Sequence, residues 1–105
     1  MTKIFRGGVV IGRSHWESVR YSWPFAKLIF RDDALVISTR FLWKREYVLD
    51  YGSIAAASPK RGFPCGGVEI THRAPEIPPY IVFFTVKAAS VLEEFRKHGI
   101  LIRYP

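Results

Sequence analysis

The chain is poor in the residues that build chemical centres. Its single cysteine, Cys65, excludes an internal disulfide framework and cannot supply a multi-cysteine zinc site. The histidines, His15, His72 and His98, are too far apart to show a metal-ligand spacing. A nucleophilic pair of Cys65 with His72 would need the imidazole beside the sulfur and two oxyanion donors, and no pattern in the sequence supplies them. Gly7-Gly8 and Gly66-Gly67 lack the longer motif and the following helix of a phosphate loop. No apolar run approaches the ~18 residues of a membrane-crossing helix, and Val9 to Ile11 is too short for a signal-peptide core. These scarcities lead us to expect no enzyme activity, no cofactor, no metal and a reducing, cytoplasmic location with any membrane contact peripheral.

Acidic residues are also scarce, 9 against 16 lysines and arginines, which leaves a net charge of +7. The cations spread from Lys3 to Arg103 without a run of five, so they form a diffuse attractive field and no polybasic tail. What is abundant is apolar: 49% of the 105 residues are hydrophobic and 15% aromatic, enough for one domain with a core and a bias toward strands.

The pattern predicts several short strands and one closing helix. Ile4, Phe5 and Val9 to Ile11 form a first strand with a bulge or bend at Gly7-Gly8. Residues 12 to 23 read as a loop or connecting strand, ending at Pro24. Ala26 to Arg31 and Leu35 to Thr39 form a hairpin around Asp32, Asp33 and Ala34, adjacent carboxylates that point apart on a turn and offer no acid and base pair. Glu46 to Leu49 is the next strand, followed by Ile54 to Ala57, which Pro59 ends. The proline and glycine content of residues 58 to 67 predicts a loop. Val68, Ile70 and His72 alternate with polar residues, and Tyr80 to Phe84 is apolar throughout. Thr85 is a helix cap in prospect, Ala88, Val91, Leu92 and Phe95 form one stripe, Glu93 and Lys97 stand four apart, and Gly99 suits a left-handed stop.

This order of elements resembles a bacterial pleckstrin-homology-like domain over about residues 23 to 99. The resemblance rests on Trp23-Pro24-Phe25-Ala26, on Tyr47-Val48-Leu49-Asp50-Tyr51-Gly52-Ser53-Ile54, on Gly67-Val68-Glu69-Ile70, and on Pro79 to Phe84 running into Val91 to Phe95. It implies a mainly β fold: a bent, antiparallel, seven-stranded barrel or sandwich closed by one C-terminal α-helix, serving as a binding module. In the lipid-binding branch of that family a basic motif at the first hairpin grips inositol phosphates. Matching that loop to Arg31-Asp32-Asp33 sets two carboxylates where a phosphate would sit, which argues against that ligand.

The candidate interaction residues are Arg40, Phe41, Trp43, Lys44 and Arg45, with Lys60 and Arg61. The run from Arg40 to Arg45 sets three apolar side chains among three cations, a pattern that suits a protein contact or a membrane interface. The competing expectation is that Phe41 and Trp43 alternate into the barrel while the cations stay in water. Lys60 and Arg61 form an anion site if the fold sets them beside Lys44 and Arg45. A protein partner or a second copy is the first expectation and an anionic membrane the alternative. Nucleic acid is disfavoured, because core packing accounts for the aromatics better than base stacking does.

Overall fold

Alternating buried and exposed residues put most of the chain into a single antiparallel sheet. The computed structural model describes residues 2–61 and 66–104. In chain order the elements are β1 (Lys3–Gly12), β2 (Ser18–Phe30), β3 (Ala34–Arg40), β4 (Lys44–Asp50), a 3-10 turn (Tyr51–Ser53), β5 (Ile54–Lys60), β6 (Gly67–His72), β7 (Tyr80–Phe84) and α1 (Ala88–Lys97). The seven strands lie in the order β4-β3-β2-β1-β7-β6-β5, so the sheet is bent and sandwich-like and does not close into a barrel.

The bend originates in β1. This strand pairs with β2 along its length and, from Gly8 to Gly12, with β7 on its other side. Gly7 faces Ala26 but Val9 faces Tyr21, so the four residues Ser22 to Phe25 stand opposite Gly8 alone. Side chains are excluded at both glycines. A Cβ on Gly7 would lie 2.1 Å from the Phe84 carbonyl oxygen, and one on Gly8 would lie 2.6 Å from that of Tyr21. The glycine pair therefore lets two neighbouring backbones close on β1 while β2 loops outward.

The core lies inside the bend. Leu28 and Phe30 of β2, Leu35 and Ile37 of β3, Leu49 of β4 and Ile81 and Phe83 of β7 are fully buried. Phe30 stands edge-on to Phe5 at 5.9 Å and to Phe95 at 4.9 Å, joining the sheet to the helix. Helix α1 buries Val91 and Phe95 and packs on β5 and β6.

The end of α1 is built as expected from Gly99, which has φ +78°. The Ile100 amide donates to the Phe95 carbonyl and the Gly99 amide to that of Arg96, each at 3.0 Å, while Ile100 joins Phe95 in the core. That is a Schellman stop with its apolar contact. The start differs from expectation. The N-cap is Lys87, without a side-chain cap. Thr85 is buried two residues earlier, where its hydroxyl donates to the Arg6 carbonyl at 3.1 Å and accepts from the Lys87 amide at 3.2 Å, so it ties the helix approach to β1. The helix ion pairs are also one residue closer than expected, Glu93 with Arg96 and Glu94 with Lys97, because i,i+3 neighbours share a face as i,i+4 neighbours do.

Two further expectations are corrected. Residues 18 to 23 are strand, part of β2, because they pair with the second half of β1. Pro59 does not end β5. It faces Val68 in an end strand, where a residue without an N–H is tolerated, and pairing continues to Lys60 opposite Gly67. The outer side of β5 is met by the chain's own tail: the Ala57 amide donates to the Leu101 carbonyl, and the Arg103 amide donates to the Ala57 carbonyl, both at 2.9 Å.

Gly8→Ala is expected to destabilise the fold by roughly 1–3 kcal/mol, since the Tyr21 backbone must retreat from the new methyl group. A urea midpoint equal to that of the parent protein would show that the close approach at Gly8 is not needed.

Candidate interaction surface

The loop between β3 and β4 points away from the core. Phe41, Leu42 and Trp43 are 68%, 76% and 72% exposed, which overturns the expectation that Phe41 and Trp43 alternate inward. The physical reason is local. Pairing of β3 with β4 stops at Arg40 opposite Lys44, so the three residues between form a bend outside the ladder and lose the two-residue period that would turn one of them inward. Arg40, Lys44 and Arg45 are exposed at its two ends.

The outward loop of β2 meets this bend. Phe25 stands edge-on to Phe41 with ring centroids 5.7 Å apart, and Trp23, in the same bulge, is 67% exposed. The Trp23–Pro24 peptide is cis. Between β2 and the bend lies a groove of about 360 Å³, lined by Val19, Tyr21, Phe25, Phe41, Leu42 and Trp43 with Arg20 and Ser22. A second hollow shares Phe25 with it and is lined also by Lys27, Arg40, Lys44 and Glu46. Sequence reasoning missed Val19, Trp23 and Phe25 as members of this surface. The signal was present as an apolar cluster around Pro24 facing a Gly-Gly pair, but its meaning needs the β1–β2 register.

Lys60 and Arg61 do not join Lys44 and Arg45. They line a separate hollow with Ser58, Pro59, Glu69, Arg103 and Tyr104. The Lys60 ammonium donates to the Tyr80 hydroxyl at 3.2 Å and to the Glu69 carboxylate at 3.4 Å, and the Tyr80 bond, with Glu69 beside it, holds the ammonium above its ordinary pKa. Lys60 is thus engaged within the fold.

The structure also reassigns the turns. Arg31 to Asp33 joins β2 to β3, so the first hairpin loop is residues 13 to 17. There the Glu17 carbonyl accepts from the Arg13 amide at 2.9 Å, the Ser14 hydroxyl accepts from the Trp16 and Glu17 amides, and Trp16 is 90% exposed. Asp32 and Asp33 remain on the surface of a turn. Beside them the Tyr51 hydroxyl donates to the Arg31 carbonyl at 2.7 Å, and its ring stacks on His98 at 4.3 Å. His98 also stacks on Phe30, at 5.7 Å.

His72 has a structural task. Its Nδ1 accepts from the Ala74 amide at 3.0 Å, which assigns the proton to Nε2, and Nε2 donates to the Pro78 carbonyl at 2.9 Å. Both nitrogens hold the turn between β6 and β7. Cys65, the thiol that a nucleophile pair with His72 would need, lies outside the described residues. Among the described residues, no three His, Cys, Asp or Glu side chains gather where they could hold a metal ion, and no helix is long and apolar enough to cross a membrane. No family model, no curated protein and no solved structure matches the chain.

Two outcomes test this geometry. Phe41→Ala and Trp43→Ala are each expected to change folding stability by less than about 0.5 kcal/mol, as for surface side chains, and a loss of several kcal/mol in urea unfolding would return them to the core. Burial, with the Glu94, Asp32 and Asp33 charges, raises the Tyr51 hydroxyl from 10.0 to about 12. Below pH 10 the phenol is protonated whether the chain is folded or not. Between there and about 12 only the unfolded chain releases the proton, so stability falls with rising pH across that window. Tyr51→Phe should flatten the fall and remove one phenolate absorbance step near pH 12; an unchanged titration curve would refute the assignment.

Proposed function

We propose that the chain is a non-catalytic binding module of pleckstrin-homology-like type, which takes a protein partner on the surface formed by Trp23, Phe25 and Phe41 to Trp43. One observation carries this reading: four large apolar side chains, Phe25, Phe41, Leu42 and Trp43, between 42% and 76% exposed, line one groove, and Trp23 stands exposed in the adjoining bulge. Soluble folds rarely leave contiguous aromatic surface in water without a partner for it, and Trp and Phe in a desolvated groove are the side chains that anchor protein contacts. Arg20, Arg40 and Lys44, which line the groove and the hollow that shares Phe25 with it, favour a partner with an acidic rim. The order of strands and the closing helix support the pleckstrin-homology-like assignment. We assign the module to the cytoplasm on the strength of its single thiol.

The second reading is peripheral binding to an anionic membrane. It is motivated by the bend itself, three consecutive exposed apolar side chains with Arg40 on one side and Lys44 and Arg45 on the other.

The two separate in one comparison. Pull-down from the native host should recover a partner that Trp43→Ala weakens by about 30-fold, or about 2 kcal/mol. Vesicles containing acidic lipid should leave the tryptophan emission unshifted. A blue shift on such vesicles, abolished by Trp43→Ala, would move the assignment to the membrane, and equal capture by the parent and Trp43→Ala would remove the patch from the contact.

A further inference from the structure

The two ends of the sheet are finished differently. On β5 the amide and carbonyl of Ala57 are taken by Leu101 and Arg103 of the tail. On β4, among the described residues, no strand pairs with the side away from β3. β4 is seven residues long and regular in register with β3 from Asp50 to Lys44, so it presents an open row of backbone donors and acceptors.

Its side chains form a self-complementary series. Tyr47 and Leu49 face the core, which places Lys44, Glu46, Val48 and Asp50 together on the outer face. We propose that β4 pairs antiparallel with β4 of a second copy of this chain, Tyr47 opposite Tyr47, so that two sheets become one across a twofold axis. In that register Lys44 of each copy faces Asp50 of the other, at both ends of the seam. Asp50 has no ion pair among the described residues, and the Lys44 pair with Glu46, at 3.3 Å, is exposed and weakly held. The centre is an aromatic cross-strand pair, and the two Val48 side chains lie on a diagonal.

The same charges reject the neighbouring registers. Centring the pair on Val48 sets Glu46 opposite Asp50 twice, and centring it on Glu46 sets two carboxylates face to face. Charge on an edge strand ordinarily blocks pairing. Here its arrangement admits one alignment and repels those beside it. The assembly also stops at two copies, because each β4 is consumed by the other and β5 is occupied by its own tail. An outer-face apolar row, Ile4 opposite Ile29, Ile29 opposite Val36 and Val36 opposite Val48, runs across four strands to the seam. The pairing rests on β4 alone and shares Lys44 with the rim of the aromatic surface.

Sedimentation velocity over a dilution series of the full chain tests it. The parent protein is expected to show a reversible dimer. Lys44→Asp and Asp50→Lys each place like charges opposite one another at both ends, and each should weaken the dimer by about tenfold. The Lys44→Asp, Asp50→Lys double variant restores opposite charges and should return to within about threefold of the parent. Amide hydrogen exchange on the unaltered protein gives a second readout, in which protection of β4 amides rises with protein concentration. A monomer at every concentration would overturn the proposal. So would a dimer indifferent to either single reversal, a double variant no better than the singles, or β4 exchange independent of concentration.

Discussion

The fold depends on two strands approaching β1 more closely than any side chain would permit. At Gly7 the space that a Cβ would take holds the Phe84 carbonyl oxygen, and at Gly8 it holds the backbone of β2 at Tyr21. This approach allows β1 to serve both halves of the sheet, with β2 on one side and β7 on the other. The bend that follows makes an inside for Phe30, Phe83 and Phe95. It also displaces Ser22 to Phe25 from the ladder, so the constraint that creates the core is the one that puts Trp23 and Phe25 in water. Core and contact surface are two results of one backbone geometry.

Local chemistry in the sequence was a good guide wherever a residue's task is set by its near neighbours. Gly99 must be the left-handed stop because the helix has to end with Ile100 turned back on Phe95, and both the glycine and the apolar spacing are visible in order. The Asp32-Asp33 reversal and the alternation of Val68 with Ile70 are of the same kind. The Gly7-Gly8 irregularity was legible as a bulge, but its consequence was not, since the residues it displaces lie some fifteen positions later in the chain. Thr85 shows the opposite error. Its position before an apolar stripe suits a cap, yet the helix begins two residues later with Lys87 as N-cap, and the Thr85 hydroxyl accepts from the Lys87 amide while donating to Arg6, 79 residues away, a tie to β1 that no local pattern shows.

The candidate surface was legible in composition and illegible in direction. A run of three cations around three apolar residues reads equally well as a strand edge or as a loop, and the choice turns on where the β3–β4 ladder stops. A one-residue difference there would reverse every side chain from Phe41 to Trp43. The basic residues illustrate the same limit. Lys60 and Lys44 are alike in sequence terms, but Lys60 is bound to Tyr80 and Glu69, whereas Lys44 stands at the open end of β4.

The tail on β5 has a mechanical consequence. Leu101 and Arg103 are fixed to Ala57 by two hydrogen bonds, and immediately before them the chain makes the Schellman stop. Tension applied from the C-terminal side therefore loads those two bonds first and reaches α1 only after they part. The residues that cover the sheet edge are also a release point, able to give way under force while Phe95 and Val91 stay seated in the core.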